Sequence, residues 1–165
     1  MGLLTPTERV DAIQDIDIGT LVSDGIRCVL VDRDNTCVPR GQADVPDAVV
    51  EWFSMLRKEG IEVCIVSNNF RGRHIERTAR QLGCGFIALA WKPSPLALRR
   101  VLRILRMSPE ETVMVGDQSY TDIVAGNLTG MRTILVKPQD PDAEPRYTKI
   151  MRHLFERGTS SSPEA

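Results

Sequence analysis

The sequence predicts an α/β fold: a doubly wound, mainly parallel sheet of about five strands flanked by helices. Three observations carry the prediction. Short unbroken apolar runs recur along the chain, as strands buried on both faces of a parallel sheet require. Longer stretches of helical period lie between them. Glycines stand at the junctions, at positions 25, 60, 83 and 130, where helices end and strands begin. Repeated strand–helix alternation of this kind builds a sheet covered by helices on both sides.

The first strand is predicted over 26–32, IRCVLVD, which is β-branched and follows Gly25. A helix over 47–59 places Val50, Phe53, Met55 and Leu56 near one face and ends at Gly60. The second strand is IEVCIVSNN, 61–69, and a helix over 71–82 ends at Gly83. GFIALA, 85–90, is a weaker third strand. Ser94 and Pro95 supply an N-cap and a first-turn proline for a helix running to Met107. TVMVGD, 112–117, is the fourth strand; a helix over 119–128 follows, and RTILV, 132–136, is the fifth strand. KPQDPDAEP, 137–145, is a loop before a last helix over 146–157. Near the N-terminus, Leu3, Leu4, Val10, Ile13, Ile16 and Ile18 are expected to pack on this domain, with contact to lipid as the sharper alternative.

The 165 residues fit one domain, predicted over 1–158 with its motifs between 26 and 136, followed by a polar, disordered tail over 159–165. An apolar fraction of 42%, a charged fraction of 26% and a net charge of −1 are ordinary for a soluble protein, and no bulk charge draws the chain to nucleic acid. No nucleic-acid partner is expected. No apolar run reaches the ~18–20 residues of a membrane span. The first ten residues lack the basic and apolar regions of a secretory signal. The four cysteines, at 28, 37, 64 and 84, are widely spaced and form no zinc pattern. Buried free thiols in a reducing cytoplasm are expected, Cys37 being the more exposed.

In such a sheet, ligands bind at the carboxyl ends of the strands. The polar residues that end the apolar runs therefore share one rim. They are Asp32 and Asp34, then Ser67, then Asp117, with Lys92 in the WKPSP segment just before a helix. Singly, each has a dull alternative as turn residue, helix cap or solvated lysine. Jointly, in order and at strand ends, they point to phosphoryl chemistry. Clustered carboxylates repel unless a cation joins them or one takes up a proton. An all-oxygen site with few protein ligands suits Mg²⁺, and GDQSYTD adds Asp117 and Asp122 as candidate ligands. A carboxylate can also attack phosphorus and form an aspartyl-phosphate. Lys92 is placed to mask the phosphoryl charge, and Ser67 and the amides after Asp32 can donate to its oxygens. Asp34 lies two residues past Asp32, where it can protonate the leaving oxygen and then deprotonate a water.

DRDNT (32–36), Ser67 of SNN, Lys92 of WKPSP and GDQSYTD (116–122) resemble the four motifs of the haloacid dehalogenase superfamily, aspartate-based phosphohydrolases of Rossmann-like fold. They are similar in particular to its YqeG-like branch, related to the phosphatidylglycerophosphate phosphatases of yeast mitochondria and plant plastids. Arg33 and Cys37 depart from that branch, which usually has Leu at both positions. The resemblance implies a Mg²⁺-dependent phosphatase. In it Asp32 is the nucleophile and a metal ligand, and Asp34 is the general acid/base with its main-chain carbonyl on the metal. Lys92 is the charge-neutralising lysine, Asp117 the second metal carboxylate and Asp122 its helper. Thr36 and Ser67 resemble the supporting and phosphate-binding hydroxyls. Asn35, Thr36, Asn68, Asn69 and Arg71 are expected to bind substrate, Arg71 as the candidate for a second phosphate. An Asp at position 34, where the related P-type ATPases carry Thr, implies rapid hydrolysis of the intermediate.

Ten residues separate Thr36 from Asp47 and twenty-four separate Ser67 from Lys92, too few in either gap for an inserted cap domain. An uncapped site suits a bulky substrate such as a lipid headgroup, a protein or a nucleic-acid end, with phosphatidylglycerophosphate at a membrane surface indicated by the resemblance. A sugar phosphate, nucleotide or polynucleotide end is the alternative. Arg73, Arg77 and Arg80, and again Arg99, Arg103 and Arg106, fall at helical spacing. They read as solvated basic faces, the sharper reading being attraction to an anionic membrane. A cytoplasmic location, peripheral at the membrane, is expected. A receiver-like domain and an idle binding module are the remaining rivals. The GD motif after the Lys-Pro pair argues against the first, and four intact motifs argue against the second.

Overall fold

The computed structural model describes residues 2–156; the predicted tail over 159–165 lies outside them. The strands are β1 (Glu8–Val10), β2 (Cys28–Val31), β3 (Glu62–Val66), β4 (Gly85–Ile87), β5 (Thr112–Gly116) and β6 (Arg132–Val136). The helices are α1 (Ile18–Ser23), α2 (Asp47–Lys58), α3 (Gly72–Leu82), α4 (Leu96–Leu105), α5 (Val124–Thr129) and α6 (Arg146–Glu156). The sheet runs β1-β6-β5-β2-β3-β4, with every neighbouring pair parallel.

The α/β architecture is the predicted one, but the sheet has six strands rather than about five. The additional strand is β1, at the edge beside β6, with Glu8 opposite Ile134 and Val10 opposite Val136. Three residues, two of them charged, carry no readable period. Pairing with β6 makes this a strand, beginning with the Thr7 amide on the Thr133 carbonyl at 2.9 Å.

The centre of the sheet explains the unbroken apolar runs. All four residues of β2 are buried, and they alternate between two layers. Val29 and Val31 join Val63, Ile65, Val113 and Val115 beneath Phe53, Leu56 and Ile75 of α2 and α3. Cys28 and Leu30 join Cys64, Val66 and Met114 beneath Leu98, Val101 and Leu102 of α4. Full burial of a Val, Leu or Ile side chain contributes about 1.5–3 kcal/mol. The central strands are therefore a stiff platform for whatever projects from their ends.

Most of the N-terminal segment packs on the domain, as expected, but Leu3 is 51% exposed. Ile13, Ile16, Ile18 and Leu21 are buried, and the Trp52 indole donates to the Ile16 carbonyl at 3.0 Å. Here α1 forms where only an apolar segment was anticipated; Asp17 caps it by accepting from the Thr20 amide at 2.8 Å. On α2 the buried side chains are Val49, Trp52, Phe53 and Leu56, whereas Met55 is 45% exposed and points away from the core. Cys37, expected to be the more exposed thiol, is buried with its Sγ 3.2 Å from the Asp32 carbonyl.

Strand order sets the site. From β2 the chain winds outward through β3 to β4, and β5 and β6 lie on the other side of β2. The order therefore reverses between β2 and β5, the crevice where open parallel sheets bind ligands. Asp32 follows β2 and Asp117 follows β5.

Candidate active site

Asp32 extends the central ladder, its amide bonding the Val115 carbonyl at 2.9 Å, and its carboxylate is the first group beyond the core. Lys92 reaches it from the segment between β4 and α4: Nζ lies 2.8 Å from Asp32 Oδ1 and 2.7 Å from Asp122 Oδ1. Asn68 holds Lys92 from both sides of its main chain. The Asn68 side-chain oxygen accepts from the Lys92 amide at 2.7 Å, and its nitrogen donates to the Lys92 carbonyl at 2.8 Å.

Asp122 sits on a π-helical turn, Ser119–Ile123, that leads into α5. Such turns recur at functional positions because the extra residue re-aims a side chain. The glycine of the GD pair has a steric reason. A Cβ on Gly116 would lie 2.2 Å from Asp122 Oδ2, so any other residue would displace that carboxylate. The Gln118 amide completes the seat, donating to Asp122 Oδ2 at 3.1 Å.

Asp32, Asp117 and Asp122 each offer a carboxylate oxygen, all within 4.8 Å of one another. Burial pushes the Asp32 carboxyl up to about 7; Lys92 opposes the rise, and the charges of Asp122 and Asp34 add to it. Burial, with the charges of Asp122 and Asp32, also holds Asp117 well above the usual carboxylate range, against the pull of Arg152. Burial alone would lower Lys92, but the Asp122 and Asp32 carboxylates outweigh it and hold the ammonium above its ordinary value. A compact all-oxygen set that repels itself despite a lysine is the donor chemistry of a hard divalent cation such as Mg²⁺. The three carboxylates fit that ion. The carboxylate of Asp34 is not among them.

Asp34 has its own clamp. Arg33 Nη1 donates to Asp34 Oδ1 at 2.5 Å, and the Asn69 side-chain Nδ2 donates to Asp34 Oδ2 at 3.0 Å. Arg33 is buried, and its remaining donors go to Thr78 Oγ1 on α3 at 2.9 Å and the Gln42 carbonyl at 3.2 Å. The Arg33 guanidinium thus ties Asp34 to α3 and to the loop before α2. Ser67 is buried beside them and accepts from the Asn69 amide at 3.1 Å. These groups open into a cleft of about 560 Å³ that Asp32, Asp34, Ser67, Asn68, Asn69, Arg71, Lys92 and Asp122 all line.

Most of the expected site residues therefore meet. Three do not line the cleft: Asp117, which is fully buried behind it, and Asn35 and Thr36. Asn35 adopts a left-handed φ of 65°, a conformation Asn tolerates. Its side chain turns away to bind the Arg40 and Asp140 amides and the Asp140 carbonyl. Thr36 is buried, with Oγ1 3.4 Å from Asp117 Oδ1, and its carbonyl accepts from Gln139 at 2.7 Å. Both side chains secure the motif loop rather than face a substrate. Sequence reasoning passed over Arg152 and Glu144, which reach the cluster from the C-terminal segment. It also passed over two aromatic side chains that line the cleft, Phe70 and Tyr147. They are 74% and 66% exposed, and Arg71 lies 5.7 Å over the Phe70 ring.

Fold and site together define a hydrolase of the phosphatase class. The chain belongs to the haloacid dehalogenase-like hydrolase family, whose sequence profile matches residues 6–130. It is 36% identical over 133 residues to a protein of Bacillus subtilis (strain 168) described as a probable phosphatase, YqeG, across 81% of this chain and 77% of that one. It is 26% identical over 157 residues to phosphatidylglycerophosphate phosphatase 1, chloroplastic/mitochondrial, of Arabidopsis thaliana, across 90% of this chain and 45% of the relative. In fold it is similar to the cobalt-bound deoxy-D-mannose-octulosonate 8-phosphate phosphatase (YrbI) of Haemophilus influenzae. That match has a TM-score of 0.54 at 19% identity and covers 78% of this chain and 75% of that one. Among the described residues, no helix is long and apolar enough to cross a membrane.

Proposed function

We propose that the protein is a Mg²⁺-dependent phosphomonoesterase working through an aspartyl-phosphate on Asp32. The observation that carries this is the Asp32–Lys92 contact at 2.8 Å inside the cleft, with Asp34 clamped two residues away. Lys92 takes Asp32 Oδ1; Oδ2 is the oxygen for attack. As it bonds to phosphorus, the bond from phosphorus to the leaving alcohol breaks, and Asp34 gives that oxygen a proton. Asp34 then takes a proton from water, whose oxygen attacks the same phosphorus. Inorganic phosphate leaves, and the Asp32 carboxylate is restored. Asp32, Asp117 and Asp122 would hold Mg²⁺, which supplies charge neutralisation for the carboxylates and the phosphoryl oxygens. Ser67 and the amides after Asp32 orient the phosphoryl group.

For the substrate we propose a phospholipid phosphomonoester, phosphatidylglycerophosphate first, met at a membrane surface. The likeness to the Arabidopsis enzyme of that name supports this. So does the rim of exposed Phe70 and Tyr147 with the cationic Arg71, because aromatic side chains favour the membrane–water interface.

The purified protein is expected to release phosphate from a generic aryl phosphate only with Mg²⁺, and Asp32→Asn to abolish that release. Full activity in the variant would refute the nucleophile. A panel of phosphatidylglycerophosphate in mixed micelles, sugar phosphates, nucleotides and polynucleotide ends then tests the substrate. Strong preference for any soluble ester would refute the lipid reading while leaving the phosphatase in place.

A further inference from the structure

Arg152 lies on α6, 35 positions beyond Asp117, yet it grips that residue at both ends. Its Nη1 donates to the Asp117 main-chain carbonyl at 2.6 Å and its Nη2 to Asp117 Oδ2 at 2.9 Å. On its other side the guanidinium meets Glu144, with Nη2 2.5 Å from Oε1 and Nε 3.3 Å from Oε2. Glu144 is only 6% exposed, and Asp117 is fully buried. We infer that Arg152 and Glu144 form a positioning pair for Asp117, which makes α6 part of the metal-binding apparatus. The inference rests on Asp117 being a metal ligand, as proposed above.

Charge explains why a pair is needed. A guanidinium alone beside three clustered carboxylates would oppose a divalent cation. Glu144 cancels it, so Asp117, Arg152 and Glu144 together carry the single negative charge of Asp117 alone. Orientation is gained without weakening the attraction for metal. Geometry explains why the residue is arginine. A planar fork can hold a carbonyl and a carboxylate at once while facing a second carboxylate, which the point charge of lysine cannot do. With Oδ2 held by Arg152, Oδ1 faces Thr36 Oγ1 at 3.4 Å and is the oxygen left for a metal ion. Outer partners that orient a ligand in this way are a recurrent part of metal sites.

A merely structural role would be to staple α6 to the sheet. Titration of the full-length protein with Mg²⁺ by calorimetry separates the two. In the double variant Arg152→Met with Glu144→Gln, which removes both charges together, Mg²⁺ affinity is expected to fall roughly 10–100-fold. Arg152→Lys should fall between it and the wild type, and raising Mg²⁺ should recover most of the lost rate in both. A lower melting temperature with unchanged Mg²⁺ affinity would overturn the inference. Should the double variant fail to fold, unchanged affinity in Arg152→Lys would overturn it equally. A wild-type protein that binds no Mg²⁺ would overturn the metal reading itself, and this inference with it.

Discussion

Two cations contact the acidic cluster at different carboxylates, and they differ in what balances them. Lys92 touches Asp32 and Asp122, and both partners belong to the reacting centre. Arg152 touches Asp117 but also the buried Glu144, which belongs to nothing catalytic. The charge of Lys92 is therefore available to an incoming phosphoryl group. The charge of Arg152 is neutralised before it reaches the cluster, and only its geometry remains. In the proposed reaction one cation would stabilise the developing charge and the other would aim a metal ligand.

That contrast predicts opposite phenotypes. Lys92→Gln should lower kcat by roughly 10²–10³-fold at saturating Mg²⁺, and excess Mg²⁺ should not restore it. Its Mg²⁺ affinity should be no weaker, because removing a cation from beside Asp32 and Asp122 lessens repulsion of the metal. Loss of the Arg152–Glu144 pair should do the reverse, weakening Mg²⁺ binding and leaving a rate that added Mg²⁺ recovers. Steady-state kinetics across a Mg²⁺ series reads both. If the two variants lose the same parameter, the division of labour between the cations collapses.

A further expected effect concerns stability without metal. Asp32 is raised to about 7 in the fold, above the value near 3.9 of an unfolded chain. The native state therefore binds the extra proton more tightly. The resulting stabilisation is complete below about pH 4 and is lost as pH rises through about 7. Asp32→Asn removes this titration. In a metal chelator, wild type should lose stability relative to Asp32→Asn between pH 5 and pH 8, by on the order of a few kcal/mol. Melting curves by circular dichroism at the two pH values check the sign. A wild type that gains on the variant as pH rises would show that Lys92 outweighs burial.

The same two cations show what the sequence could and could not reveal. Lys92 is legible because it sits beside a proline just before a helix, in order after two strand-end motifs. Strand ends in a parallel sheet converge by topology, so residues at those positions can be brought together on paper. Arg152 is not legible. Its helix reads as an ordinary amphipathic surface helix, and its meeting with Asp117 depends on how α6 docks, which no local period encodes. The contacts of Arg33 are hidden for the same reason, since Thr78 lies 45 positions away on another helix. At Asn35 and Thr36 the motif predicts position but not direction. A left-handed turn at Asn35 aims its amide at the 139–140 segment, and burial of Thr36 aims its hydroxyl at Asp117. Edge strand β1 escaped because three residues with two charges become a strand only when β6 offers its free edge.

In the proposed reaction Asp32 carries the phosphoryl group. The most direct measurement is acid quenching of Asp34→Asn after mixing with an activated aryl phosphate and Mg²⁺, followed by peptide mass mapping. An aryl leaving group departs without a proton, so the first step proceeds, while hydrolysis lacks its base and the intermediate accumulates. The predicted result is one phosphoryl group per chain, located on Asp32. A phosphoryl group on any other residue, or turnover by this variant with none trapped, would contradict the account.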